Sequence, residues 1–183
     1  MSYKAKRILK AICLVAVGAL LGGMILHLTG TEINNPWKKE VNENNLIQVE
    51  DYLENSLKDT SAGLKVKKND DGSFVLSGKH ADKDEADNAI YKSAYFVNVN
   101  LTAGSEYVLS TGNDRCSTDT FGLYYIMNGE TTLVGEKDVK IVATEDTVIS
   151  IGYFVKNNTY FFSWFSKITP ILVPNGENVA FYK

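Results

Sequence analysis

The chain has 183 residues, 44% hydrophobic and 11% aromatic, with ten Tyr, eight Phe, fourteen Gly and three Pro; this is room for one ordinary domain plus an appendage, in a globular, β-leaning composition. Lys4, Lys6, Arg7 and Lys10 precede an apolar run and no acidic residue occurs before Glu32, so the remainder carries 15 of the 19 basic residues against all 22 acidic ones, a net charge of about −7. That balance argues against nucleic acid or anionic lipid as partners of the remainder, since both demand clustered Lys and Arg, and two cysteines, Cys13 and Cys116, give neither a disulfide framework nor a Cys-based metal site.

Ala11 to Leu28 reads AICLVAVGALLGGMILHL, interrupted only by His27. A helix rising about 1.5 Å per residue over this run, extended by Ile8 and Leu9, spans a hydrocarbon core of about 30 Å. Four positive charges before the run place the start of the chain in the cytoplasm and everything after it outside. A cleaved signal peptide is the competing reading, but the exit segment His27-Leu28-Thr29-Gly30-Thr31 offers only Thr29 and Thr31 where cleavage needs small residues such as Ala. Cys13 stands at the start of the run, where a lipoprotein cysteine does not. Gly18 and Gly22 have the spacing of a helix-packing face or of simple flexibility. Residues 1–29 are therefore expected to be a cytoplasmic start and transmembrane signal-anchor, 30–45 a stalk, and 46–183 the folded domain. An exported domain without disulfides fits a Gram-positive surface better than an oxidising periplasm.

The stalk TEINNPWKKEVNEN is polar and aperiodic, with Trp37 as an interfacial anchor or a domain contact. Leu46, Val49, Leu53 and Leu57 have a mild helical spacing, open to a short helix or an irregular strand. Turn signals then recur between β-rich runs, the mark of an antiparallel sandwich or barrel. Gly63 to Lys68 and Phe74 to Ser77 flank Asn69-Asp70-Asp71-Gly72, a hairpin turn. Tyr95, Val97, Val99 and Leu101 share one face of the next strand, and Ala103-Gly104 turns the chain into Glu106 to Ser110. Phe121 to Met127 meets Thr131 to Val134 across Asn128-Gly129. Lys137 to Ala143, Thr147 to Val155, Thr159 to Phe165 and Ile168 to Val173 complete the set, with Ile149, Ile151, Tyr153 and Val155 on a core face.

The order of these motifs resembles a known module. Asn45-Leu46-Ile47, Gly63-Leu64-Lys65-Val66 and the run from Asn69 to Gly78 look like the opening of a jelly-roll module common in phage tail and surface proteins of Gram-positive bacteria. Leu101 to Ser110, LTAGSEYVLS, is similar to that family's "LPAGTYTLS" strand, Thr144-Glu145-Asp146-Thr147 to its "T-E-D-T" step, and Ile168 to Leu172 with Asn175-Gly176 to its closing "PML…G" strand. The likeness covers about residues 45 to 183. It implies an all-β, antiparallel β-sandwich of jelly-roll type like that of carbohydrate-binding modules, preceded here by one transmembrane helix, and a role in sugar binding or cell-surface adhesion. It supplies no set of ligand-contacting positions. The anchor departs from the family and favours a resident or prophage-encoded surface protein over a phage-tail part.

Chemistry-bearing residues are sparse, and no catalytic residue or metal ligand is assigned. His80 lies in the charged stretch Lys79 to Glu85, read as a solvated loop, and no G-x-S-x-G context surrounds any serine. Cys116 beside Arg115 reads as a small buried side chain before a reactive thiol. Asp82, Asp84, Glu85 and Asp87 form a solvated face or, beside backbone carbonyls, a calcium site, the one cofactor entertained. Aromatics carry more. In a strand from Thr159 to Phe165, Tyr160, Phe162 and Trp164 alternate with Phe161, Ser163 and Phe165, so both faces are apolar or aromatic while only one fills a core. The other is covered, forms a patch, or stacks on sugar rings. Tyr124 and Tyr125 point to opposite faces, which predicts that one looks outward. Trp164, Tyr160, Tyr125, Asn157 and Arg115 are therefore the candidate ligand-binding residues of a membrane-anchored module whose partner is a glycan or a cell-surface protein. The alternatives are a structural part of a cell-envelope or prophage-related assembly docking through uncharged sheet edges, and a hydrolase with two buried carboxylates facing one cleft.

Overall fold

A computed structural model describes residues 44–177. The expectations about the anchor, its orientation and possible cleavage, Cys13, His27, the spaced glycines, Trp37 and the stalk to residue 43 lie outside the described residues.

The described chain is all-β: β1 (Leu64–Lys68), β2 (Phe74–Lys79), β3 (Ile90–Lys92), β4 (Val97–Leu101), β5 (Glu106–Ser110), β6 (Phe121–Met127), β7 (Glu130–Val134), β8 (Val139–Val142), β9 (Thr147–Lys156), β10 (Tyr160–Phe161), β11 (Lys167–Ile168) and β12 (Ile171–Pro174). Every pairing between them is antiparallel. In one sheet β2 pairs with β1 on one side and with β10 and β11 on the other; in a second, β5 lies between β12 and β8; in the third, β9 carries β3 and β4 along one edge and β6 on the other, with β7 beyond. Side chains from all three sheets, among them Leu76, Leu109, Leu123, Ile151 and Leu172, share one buried cluster. Antiparallel sheets covering a common core are compatible with a β-sandwich.

Local chemistry explains most of this. In the first hairpin the Asn69 N–H donates to the Ser73 carbonyl, the Asp71 carboxylate accepts the Ser73 N–H, and Gly72 takes φ +77°, a conformation glycine adopts without a Cβ clash. The β6–β7 turn is Asn128-Gly129, both with positive φ, as a two-residue hairpin requires. Val97, Val99 and Leu101 alternate with exposed Asn98 and Asn100 in β4, and Ile149, Ile151, Tyr153 and Val155 of β9 are buried. Both core faces follow the two-residue period.

Four expectations are corrected. Leu46 to Leu57 is neither helix nor strand but an irregular segment with one 3-10 turn, Val49–Asp51; the Leu46 N–H pairs with the Leu172 carbonyl and the Asn45 carboxamide accepts the Ile47 and Leu172 N–H groups, so tertiary pairing overrides a weak period. Asn45, assigned to the stalk, is thereby knitted to β12. Tyr95 is 44% exposed and Phe96 is buried in its place: Ser93 and Phe96 donate to Tyr153 and Ile151, three steps along one strand against two along β9, a bulge that reverses the alternation. Tyr124 and Tyr125 do point to opposite faces, yet neither is exposed. Tyr125 joins the core, and Tyr124 lies across Gly152 with its hydroxyl donated to the Ser93 carbonyl. Finally, Ile168 to Val173 is not one strand. Thr169-Pro170 separates β11, paired with β2, from β12, paired with β5, and the proline supplies no ladder N–H.

Candidate ligand-binding surface

The aromatic run does not continue as the expected strand to Phe165. Phe161 pairs with Gly78 and Lys167 with Val75, so Phe162–Ser166 on the edge face only Leu76 and Ser77 of β2 and must leave the sheet. Phe165 and Ser166 N–H groups both donate to the Phe162 carbonyl, closing the excursion as a turn, and buried Ser166 returns the chain by exchanging bonds with Leu76. The excess length ejects Phe162 and Trp164, 50% and 75% exposed, while in β10 alternation leaves Tyr160 57% exposed and Phe161 1% exposed. Phe165, on the face opposite Tyr160 and Trp164 in the expected strand, is half-buried and packs against the core.

The rings form a connected chain from core to solvent. Phe121 meets Phe161 and Phe165, with centroids 5.5 and 6.3 Å apart; Phe165 meets Trp164 at 5.2 Å and Phe162 at 5.8 Å; Phe162 meets Tyr160 at 4.8 Å. Offset and edge contacts of this kind are the favoured aromatic geometries. The Arg115 guanidinium lies over the indole of Trp164, 5.2 Å from its centroid, the arrangement of a cation–π pair.

One carboxamide fixes that pair. Asn113 accepts the Arg115 N–H through Oδ1 at 2.9 Å and donates through Nδ2 to the Phe165 and Lys167 carbonyls at 2.9 and 2.7 Å. The Arg115 loop is thereby bolted to the aromatic excursion. Beside it opens a shallow pocket of about 200 Å³, lined by Gly112, Asn113, Arg115, Trp164, Phe165, Lys167 and Thr169. Lys167 is paired with Asp71 at 3.1 Å.

Of the five candidate residues, three come together on this side of the molecule: Trp164, Arg115 and, along the ring chain, Tyr160. The other two are corrected. Tyr125 is 7% exposed in the core. Asn157 is 1% exposed and spent on structure: its Oδ1 accepts the Asp82 N–H, and its Nδ2 donates to the carbonyls of Asp82, Glu85 and Ala86. A buried carboxamide with its hydrogen bonds satisfied by the protein offers nothing to a ligand. Those same carbonyls are the ones a calcium ion at Asp82–Asp87 would draw on, and among the described residues no group of three or more His, Cys, Asp or Glu side chains could hold a metal. Asn113 and Lys167 escaped the sequence reading, and Phe162, placed on one face with Tyr160 and Trp164, was not among the candidates; for Asn113 the spacing Asn113-x-Arg115, typical of a side chain that caps its own loop, was the available signal.

His80 is also corrected. It is buried, not solvated, with Nδ1 3.2 Å from the Thr60 hydroxyl, its ring 4.2 Å from that of Tyr91, and Nε2 without a partner. Burial holds its pKa below the ordinary 6.5, against the opposing pull of Asp82 and Glu85. The unfolded chain therefore binds the proton more readily than the folded one, and stability should fall as pH drops below about 6.5, the loss being complete once the folded imidazole itself titrates. Urea midpoints at pH 7.5 and 5 should show this decline in the parent chain and a shallower one in His80→Gln; equal declines would remove His80 as its cause. Cys116 is 1% exposed, and burial pushes its thiol up to about 12, so it is no nucleophile at neutral pH. Every Asp and Glu among the described residues is exposed or only half-buried, so these residues do not form the buried carboxylate pair a glycosidase would use.

No protein-family model, curated protein or solved structure is detectably similar to this chain.

Proposed function

We propose that the chain is a membrane-anchored, extracytoplasmic binding or adhesion module of jelly-roll type that recognises a glycan or a partner protein at the cell surface. The observation that carries this reading is the surface around Trp164, where Tyr160 at the end of β10 and Phe162 and Trp164 on the pinned excursion stand exposed beside an arginine and an open pocket. Holding large apolar rings in water is unfavourable, and a contiguous exposed patch is the usual mark of an interaction site. The basic start and apolar run of the sequence support the tether. Assembly through sheet edges is less favoured, because β1 presents Lys65, Lys67 and Lys68 along an outer edge, and lysines on an edge oppose strand addition.

The test is a glycan array and a pull-down from cell-envelope extract, both with the full-length chain in lipid nanodiscs. Trp164→Ala should abolish the specific signal while leaving the far-UV spectrum and melting curve unchanged. A specific ligand bound equally well by Trp164→Ala would move the site elsewhere.

A further inference from the structure

Resting on the binding-module reading, we propose that the surface at Trp164 takes an anionic saccharide, its ring stacked on the exposed indole and its carboxylate or phosphate held by the Arg115 guanidinium. The two halves of such a ligand ask for different chemistry. The C–H face of a pyranose suits an aromatic plane, and Trp164 is the most exposed of the large hydrophobic side chains among the described residues, at 75%. An acidic substituent suits a guanidinium, whose planar fork of N–H donors matches carboxylate and phosphate oxygens.

A cation–π contact engages the charge of the guanidinium and takes up none of its five N–H donors, so the contact between Arg115 and the indole does not by itself consume the arginine's hydrogen-bonding capacity. Arg115 is in neither the Lys140–Glu106 nor the Lys167–Asp71 ion pair. Asn113 ties the backbone that carries the cation to the backbone that carries the ring, accepting the Arg115 main-chain N–H and donating to the carbonyls on either side of Ser166. A site ordered before its ligand arrives loses less entropy on binding.

The overall charge sharpens the inference. A domain of net negative charge repels an acidic polymer except near a cation, and Arg115 is a cation that lies against Trp164, the most exposed large hydrophobic side chain among the described residues. Neutral sugars gain only the stacking half of the site. A carboxylate or phosphate gains the charge-assisted bonds as well, and salt should weaken that part.

Isothermal titration of the full-length chain in nanodiscs tests this with three probes: an oligogalacturonate, its fully methyl-esterified form, and a glycerol phosphate oligomer. At least one anionic probe should bind about tenfold or more tighter than the neutral ester, and the two anions separate carboxylate from phosphate as the favoured group. Arg115→Gln, a change at an exposed side chain, should erase that preference, as should 1 M salt, whereas Trp164→Ala should lose every probe. Equal binding of acid and ester, unmoved by Arg115→Gln, overturns the anionic class and leaves the binding-module reading standing. No binding of any saccharide, with a protein captured through Trp164 instead, also overturns it. In a Trp37→Phe chain, strong quenching of Trp164 by brominated lipids of its own nanodisc would assign the surface to the bilayer and overturn the proposal.

Discussion

Phe161→Ala is expected to cost about 3–5 kcal/mol of folding stability, whereas Trp164→Ala, three residues further on, should change it by less than about 0.5 kcal/mol. The two residues belong to one aromatic run, yet their surroundings are opposite. Phe161 is 1% exposed, pairs with Gly78 at the edge of β2 and meets Phe121 edge to face. Truncating it removes a ring from the middle of close-packed neighbours that can collapse only in part, so the lost transfer energy and the residual cavity add. Trp164 keeps three-quarters of its surface in water and touches the protein through Phe165 and Arg115, so little burial is lost. Half-buried Phe165 should fall between them. Urea unfolding followed by far-UV circular dichroism gives the three values, and a Trp164→Ala cost as large as that of Phe161→Ala would mean that the excursion is structural, which would remove the basis of the binding site.

That contrast marks how far the sequence can be read. Strands with one buried face and strands bounded by turn residues announce themselves: β4 and β5 fall where two-residue alternation and the Ala103-Gly104 turn put them, β6 and β9 fall between turn signals although much of each is buried on both faces, and the Asp-Gly and Asn-Gly hairpins follow from the positive φ angles they require. Features that depend on unequal path lengths between paired strands do not announce themselves. The bulge at Ala94-Tyr95 and the excursion at Phe162–Ser166 both arise because one strand spends more residues than its partner over the same distance. Alternation carried across the first assigns Tyr95 to the wrong face, and carried across the second it extends β10 to Phe165. β3 was missed for a related reason: it is three residues long, and its place on the edge of β9 is set by hydrogen bonds to Phe154, Val155 and Lys156, not by its own pattern. Of the candidate residues, Trp164, Tyr160 and Arg115 were chosen from residue type, and the fold brings them to one side of the molecule. Tyr125 and Asn157 were not excluded, because their burial depends on what covers them, and Asn113 was invisible because its role is to join two segments more than fifty residues apart in the chain.

The outer face of the β9 sheet supplies the second large effect, from two glycines that no turn demands. Gly122 stands directly across from Phe154, and Gly152 across from Tyr124; each aromatic ring lies over the glycine opposite. A Cβ at Gly152 would come within 2.4–2.6 Å of the Tyr124 ring, and one at Gly122 would come 2.2 Å from the Val134 carbonyl oxygen, all well inside contact distance. Gly152→Ala and Gly122→Ala should each cost about 3 kcal/mol or more, at the upper end of what overpacking does. The causes differ, and a double-mutant cycle separates them. The obstacle at Gly152 is a side chain, so in a Tyr124→Ala background Gly152→Ala should cost almost nothing more. The obstacle at Gly122 is the backbone of β7, so Gly122→Ala should cost as much with Phe154→Ala as without it, because no trimmed side chain moves the Val134 carbonyl. Strong coupling at Gly122–Phe154 together with none at Gly152–Tyr124 would reverse this assignment and place the tight contact of that face on the wrong ring.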